Sequence, residues 1–175
     1  MPATGTVVPL ANQKPASLLV LAASYTDKGG NNIKALTGSG AVSLQSNTVS
    51  FTGKEKMEAF TSMKYGGSTV MILPAGKGWF ALEQIDLTGV HSVNLTCGWQ
   101  APPLVGYSFE ARLDAPDGKL LGKGTMSTPQ KGQQFGNVNV PLDAVADGKF
   151  HSIYFVYNGT EKSAGGVMTA QFNAK

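Results

Sequence analysis

The sequence predicts an all-β fold, a two-sheet antiparallel β-sandwich of the jelly-roll type. Several short segments alternate apolar and polar residues, which is the period of a strand with one buried and one solvated face. Turn signals recur about every ten residues, and the chain contains 22 glycines and 9 prolines. No segment has more than weak helical character. About ten short strands at this spacing are typical of a sandwich.

The clearest strands lie in the stretch 79–105. One face of its second half is predicted to be buried because apolar residues occupy every other position. That face carries Val93, Leu95, Cys97 and Trp99. A turn precedes it over residues 86–90, where Gly89 can adopt a positive φ without steric cost. The expected product is two strands that are either antiparallel neighbours or cross from one sheet to the other.

The chain length sets the domain count. At 175 residues the protein can bury one sizeable core but is too short for two ordinary domains. We expect an N-terminal arm or linker over residues 1–15 and a β-sandwich domain over residues 16–175, whose first strand runs near 18–25. Residues 16–24 also imitate a short secretory signal, but the apolar run is short and few basic residues precede it. We therefore interpret this segment as a strand.

Two segments before residue 61 have local signals of their own. Residues 41–44 and 48–51 are predicted to pair as strands, and residues 54–60 have mild helical character that indicates one or two helical turns.

The second half of the chain has sharper patterns. Residues 107–114 alternate, and the sequence Ala-Pro-Asp-Gly at 115–118 predicts a turn, so that residues 119–125 return as the hairpin partner. Residues 132–142 alternate again and place Phe135 on the polar face. Residues 151–157 are apolar on both faces, which is typical of a central strand.

Charge and cysteine content exclude several classes of partner. The net charge is +3, but the lysines are scattered, Arg112 is the only arginine, and no basic cluster interleaves aromatic residues, so nucleic acid is not an expected partner. The single cysteine, Cys97, excludes an intramolecular disulfide and a zinc site with several thiolates, and its apolar neighbours predict a buried, inert thiol. No run approaches the roughly 18 apolar residues of a membrane span.

Catalytic motifs are missing from the sequence. Glycoside hydrolysis needs two carboxylates that face each other across a cleft, whereas the close acidic pairs lie on strands or strand ends with solvated faces. These pairs are Glu83 with Asp86 and Glu110 with Asp114. No serine lies in a Gly-x-Ser-x-Gly turn, and the sequence contains neither a phosphate-binding glycine loop nor a histidine-rich metal spacing. We predict no catalytic activity and no cofactor.

Three parts of the chain resemble a known family in their order and spacing. They are LVLAASYTDKGGNNIKALTG at 19–38, GWFALEQIDLTGVHSVNL at 78–95, and SFEARLDAPDGKLLGKGTM, VNVPL and GKFHSIYFVYNG within 108–159. Together they resemble the family 6 type of carbohydrate-binding module, a β-jelly roll, in the version appended to secreted bacterial dehydrogenases of the glucose/sorbosone kind. This resemblance implies a sugar site in loops at one edge of the sandwich.

The resemblance also implies site residues. Family members hold a sugar between two aromatic side chains beside an Asn or Gln, and the matching positions are Tyr65, Gln134, Phe135 and Asn158. The family usually has Trp where this chain has Phe135. It also commonly binds a structural calcium through acidic residues, whose places are taken here by Ser50, Thr52 and Gln171. Without carboxylates a calcium ion loses most of its attraction, so we predict no metal at that position.

The residues themselves leave alternatives open. Phe135 shares its face with asparagines, and a ring beside amides can stack on the apolar face of a pyranose while the amides bind hydroxyls. A register slip at Gly136 would instead place the ring in the core or at its rim. Tyr65 precedes two glycines and is either a ligand-binding ring or an ordinary half-buried tyrosine. Asn158 begins an Asn-Gly-Thr sequence, which is also a turn signal and a glycosylation pattern.

The sequence thus predicts a non-catalytic carbohydrate-binding module. Its expected partners are an oligo- or polysaccharide and the catalytic domain of a larger parent protein, and its expected location is secreted or periplasmic. The alternative is a structural or protein-interaction β-sandwich that has lost the sugar site.

Overall fold

The computed structural model describes residues 19–44, 46–159 and 165–174. In these ranges the regular structure consists of β-strands, and no helix has the length and apolarity of a membrane span. The strands are β1 (Leu19–Thr26), β2 (Thr37–Leu44), β3 (Thr48–Ser50), β4 (Met57–Glu58), β5 (Thr61–Tyr65), β6 (Ser68–Ile72), β7 (Lys77–Asp86), β8 (Val90–Trp99), β9 (Ser108–Leu113), β10 (Leu120–Thr125), β11 (Phe135–Pro141), β12 (Phe150–Asn158) and β13 (Gly165–Ala174).

The chain divides into two compact units, residues 1–46 and residues 47–175. In the first unit, β1 and β2 form an antiparallel hairpin that pairs Leu19 with Leu44 and Thr26 with Thr37. The strand predicted near residues 18–25 is thus confirmed as β1. Its described partner is β2, and the predicted arm over residues 1–15 lies outside the described residues.

The second unit contains the predicted antiparallel sandwich. One sheet has the strand order β10-β9-β12-β7-β4, and the other has the order β11-β8-β13-β6-β5, with β3 paired to β13. The buried core lies between these sheets and includes the predicted inner face of β8, where Val93, Leu95 and Cys97 have no exposed surface. β12 lies in the centre of its sheet, as its two apolar faces predict.

The two predicted turns around the central strands form as expected. Between β7 and β8, Val90 N–H donates to Leu87 C=O at 3.1 Å, and Gly89 has a φ of 74°. β7 and β8 belong to different sheets, so this turn carries the chain across the sandwich. Between β9 and β10, Gly118 N–H donates to Ala115 C=O at 3.0 Å and closes the predicted hairpin.

Two local predictions are wrong. Residues 41–44 and 48–51 do not pair with each other, because β2 pairs with β1 whereas β3 pairs with β13. Residues 54–60 form no helix. The side chain of Glu55 accepts hydrogen bonds from Thr52 N–H, the Thr52 hydroxyl and Gly53 N–H, and β4 then pairs with β7.

Candidate functional site

A groove of about 170 Å³ lies on the face of the β11-β8-β13-β6-β5 sheet that points away from the core. The groove is open on one side, and its volume is smaller than the ~300–1,000 Å³ of typical ligand pockets. It can therefore contact one face of a ligand but does not enclose it. Its lining consists of Met63, Tyr65, Val70, Ile72, Gly98, Trp99, Gln100, Gln134, Phe135, Gly165, Gly166 and Met168.

Glycines form the floor of the groove. Gly98 of β8 and Gly166 of β13 lie opposite each other in the antiparallel pair. A Cβ atom on Gly166 would lie 2.6 Å from Val70 Cγ1, and one on Gly98 would lie 3.1 Å from Met168 Sδ and 3.2 Å from the Phe135 ring. The side chains of Val70, Met168 and Phe135 therefore lie directly against the backbone of these two glycines. Any larger residue at either glycine would displace them.

Phe135 forms one rim of the groove. β11 pairs with β8 in a register that places Phe135 opposite Gly98, and Val138 and Val140 are fully buried on the opposite face of β11. The register slip at Gly136 does not occur, and 55% of the Phe135 surface is exposed. The side chain can therefore contact a ligand across its ring while resting on the glycine floor.

Tyr65 lies in the same groove, on the edge strand β5. β6 pairs with β13 only at Ile72–Gly166 and Met71–Val167, and β3 occupies the same edge of β13 from Thr169 onward. β5 pairs with β6 at the edge of the sheet and contributes Met63 and Tyr65 to the groove. Tyr65 is 64% exposed.

Trp99 fixes the loop that carries Gln134 and Phe135. Its indole Nε1–H donates to Gln133 C=O at 2.7 Å, and its backbone N–H donates to Gln134 C=O at 3.1 Å. The loop is tightened by a turn in which Gln133 N–H donates to Gln130 C=O and Gly132 has a φ of 87°. Trp99 is 7% exposed and packs edge-on against Tyr107, so it supports the site from below.

The described lining of the groove carries no charge. Its only amide side chains are those of Gln100 and Gln134, both on exposed residues. Cys97, next to Gly98, points into the core, where burial raises the pKa of its thiol to about 12. The thiol is therefore neutral, which agrees with the prediction of a buried, unreactive cysteine.

The positions compared with the family's calcium ligands lie on the paired strands β3 and β13 or just beyond. Ser50 lies opposite Thr169, Gln171 lies opposite Thr48, and Thr52 binds the Glu55 carboxylate. Within the described ranges, no group of three or more His, Cys, Asp or Glu side chains could hold a metal ion. That this position binds no calcium stays a prediction.

The structure brings three of the four predicted site residues together. Tyr65, Gln134 and Phe135 line one groove, whereas Asn158 ends β12 in the other sheet, pairs with Lys77 and is not among the lining residues. The groove is also lined by residues that the sequence did not indicate, namely Met63, Val70, Ile72, Gln100 and Met168. The alternation of β6 could have indicated an outward apolar pair at Val70 and Ile72, but no local signal connects β6 with Met168 of β13.

The sequence matches no family model and no curated protein, but the fold is similar to solved structures. A family 6 carbohydrate-binding module from Clostridium cellulolyticum, solved with xylose, has a TM-score of 0.61 at 15% identity, covering 74% of this chain and 99% of that one. A β-1,3-glucan-binding module of the same family from Bacillus halodurans has a TM-score of 0.59 at 18% identity, covering 73% and 95%. One from Clostridium stercorarium, solved with cellobiose, has a TM-score of 0.58 at 14% identity, covering 73% and 93%.

These similarities confirm the fold that the sequence resemblance implied. The association with sugar dehydrogenases stays a prediction. With two antiparallel sheets around one core and this likeness to three modules of one type, the chain has the fold of family 6 carbohydrate-binding modules.

Proposed function

We propose that this protein is a non-catalytic module that binds carbohydrate in the groove of the β11-β8-β13-β6-β5 sheet. The observation that carries the proposal is the presence of two exposed aromatic rings and two exposed amide side chains in one uncharged groove. Tyr65 and Phe135 stack on the apolar faces of sugar rings, and Gln100 and Gln134 bind hydroxyl groups. The likeness to modules solved with xylose and cellobiose supports a neutral sugar.

The geometry suits binding without reorganisation. Trp99 holds the Gln134–Phe135 segment through two hydrogen bonds, and the Phe135 ring rests against the Gly98 backbone. A ring that is fixed before binding loses little conformational entropy when the ligand arrives. The groove is shallow, however, and many sugar hydroxyls must exchange water for protein contacts, so we expect modest affinity.

The proposed role is binding and not hydrolysis. No carboxylate is among the described residues that line the groove, and glycoside hydrolysis needs two that face each other. We further propose that the module belongs to a larger secreted or periplasmic protein, where it holds a catalytic domain near its polysaccharide.

Binding is tested with a panel of soluble xylans, glucans and their oligosaccharides, by calorimetry and affinity electrophoresis. We expect Phe135→Ala and Tyr65→Ala each to weaken binding by roughly 2- to 10-fold, the range of one aromatic contact. The controls are Phe150→Ala and Leu104→Ala, because these residues are 65% and 82% exposed and lie outside the groove. They should retain wild-type affinity.

The alternative function, a structural or protein-interaction sandwich without a sugar site, gives the opposite result. It predicts that no carbohydrate in the panel binds to the folded protein. Equal losses in the groove variants and their controls would likewise contradict the proposed site.

A further inference from the structure

Four apolar, uncharged side chains line the groove beside its two aromatic rings. Val70 and Ile72 lie on β6 and Met168 lies on β13, and these strands are placed between β5, which carries Tyr65, and β8–β11, which carries Phe135. Met63 adds to this patch from β5, where it lies opposite Val70. Val70 lies over the Gly166 backbone and Met168 over the Gly98 backbone, and these two glycines lie opposite each other in the β8–β13 pair.

This apolar patch is poorly matched to the hydroxyl-rich edge of an unmodified sugar. A hydroxyl group that loses water without gaining a hydrogen bond is destabilised. None of the four side chains has a strong hydrogen-bonding group, and the described lining has no charge to attract a uronate or an amine. The groove therefore favours a ligand that has an uncharged, partly apolar group where a plain sugar has a hydroxyl.

We propose that the groove recognises O-acetylated sugars in preference to the same sugars without acetyl groups. An O-acetyl group replaces a hydroxyl donor with a neutral ester, whose methyl group packs against Met63, Val70, Ile72 and Met168. The Gln100 and Gln134 amides have N–H groups that can donate to the ester carbonyl. Methionine suits this role because its flexible, polarisable side chain adapts to a small apolar group. The inference rests on the proposed function and names its substrate class.

The test uses acetylated xylo- and cello-oligosaccharides, each compared with the same preparation after alkaline removal of its acetyl esters. Affinity for the full chain is measured by calorimetry. We expect each acetylated preparation to bind about fourfold more tightly than its deacetylated form, as for burial of one methyl group. Equal affinities, or tighter binding of the deacetylated form, would overturn the acetyl preference and leave the proposed function standing. Binding of neither form would overturn both.

Variants locate the preference in the groove. In the double variant Met63→Gln and Met168→Gln, we expect the ratio of the two affinities to fall towards one, because the patch becomes polar. The control is Leu104→Gln, since Leu104 is an 82% exposed aliphatic residue outside the groove, and it should keep the wild-type ratio. An unchanged ratio in the folded double variant would show that the acetyl group is recognised elsewhere and would overturn this assignment.

Discussion

Among single residues outside the groove, His151 is notable because its two ring nitrogens each contact an aspartate. Its Nδ1 lies 2.9 Å from Asp114 Oδ2, and its Nε2 lies 3.0 Å from Asp147 Oδ1. The hydrogen bond to Asp147, followed by the one to Asp114, raises the pKa of His151 above its ordinary value of 6.5. The pKa of Asp147 is lowered mainly by His151, and that of Asp114 is lowered first by Ser152 N–H and then by His151. The cluster joins the start of β12 to the turn after β9.

These shifts predict a pH dependence of stability. The raised pKa of His151 stabilises the fold below about pH 6.5, and this contribution is lost as the pH rises through the folded-state value. The aspartates stabilise the fold above about pH 3.8 and lose that effect as the pH falls. We therefore expect Asp147→Asn to destabilise the protein more at about pH 5.5 than at about pH 8.5 in urea unfolding.

A control and an independent readout accompany that prediction. Asp117→Asn removes an aspartate that makes no contact with His151 in the cluster, so its effect should not follow the same pH profile. In an NMR titration of the His151 ring, Asp147→Asn should lower the pKa. An identical titration curve in the variant would contradict the assigned bridge.

At the scale of elements, two edge strands from different sheets close one side of the sandwich. A Cβ on Gly122 of β10 would lie 1.8 Å from Pro141 O, and one on Gly124 would lie 2.2 Å from Asn139 O of β11. Asp143 N–H also donates to Leu121 C=O at 2.8 Å. Glycine in β10 thus lets its backbone approach β11, and this contact covers two edges that would otherwise be open to pairing.

Gly124→Ala tests this close approach. The new methyl group would force β10 and β11 apart, and we expect a loss of about 2–3 kcal/mol in the free energy of unfolding. Gly89→Ala is the control, because a Cβ there meets open space and only its φ of 74° opposes alanine, which costs about 1 kcal/mol. If the two variants lost the same free energy of unfolding, the steric conflict expected between an alanine at position 124 and β11 would be refuted.

The strands also show how far local sequence determines structure. The buried face of β8 and the hairpin at residues 115–118 were predictable, because alternation and turn chemistry act within a few residues. The partner of residues 41–44 was not, since register between strands depends on contacts distant in sequence. Residues 54–60 had helical propensity, but hydrogen bonds from Thr52 and Gly53 to Glu55 and the pairing of β4 with β7 prevailed.

At the scale of the whole molecule, the sandwich has its own core. Every residue of the buried cluster, from Phe51 to Phe172, belongs to the unit 47–175. The described lining of the groove also comes from this unit: it belongs to five strands, to Gln100 directly after β8 and to Gln134 directly before β11. The family resemblance placed Tyr65 and Phe135 in one site, but the apolar residues such as Met168 could not be predicted, because they meet the rings only through the pairing of distant strands.

A shortened chain tests that independence. We expect residues 47–175 alone to fold, because this fragment retains the buried core and both sheets of the sandwich. Its thermal unfolding should be cooperative and should have the same midpoint temperature as that of the full chain. The hairpin of β1 and β2, as an isolated two-stranded sheet, should be marginally stable by itself. Circular dichroism and thermal melts measure both, and an unfolded 47–175 fragment would contradict this division.

An NMR titration of the isotopically labelled protein with an oligosaccharide that it binds tests directly whether the groove is the sugar site. We expect the changes in backbone chemical shift to concentrate at Gly98, Gly165 and Gly166 and around Tyr65 and Phe135. Shifts confined to the outer face of the opposite sheet, around Trp79 and Tyr154, or no shifts at saturating sugar, would contradict this expectation.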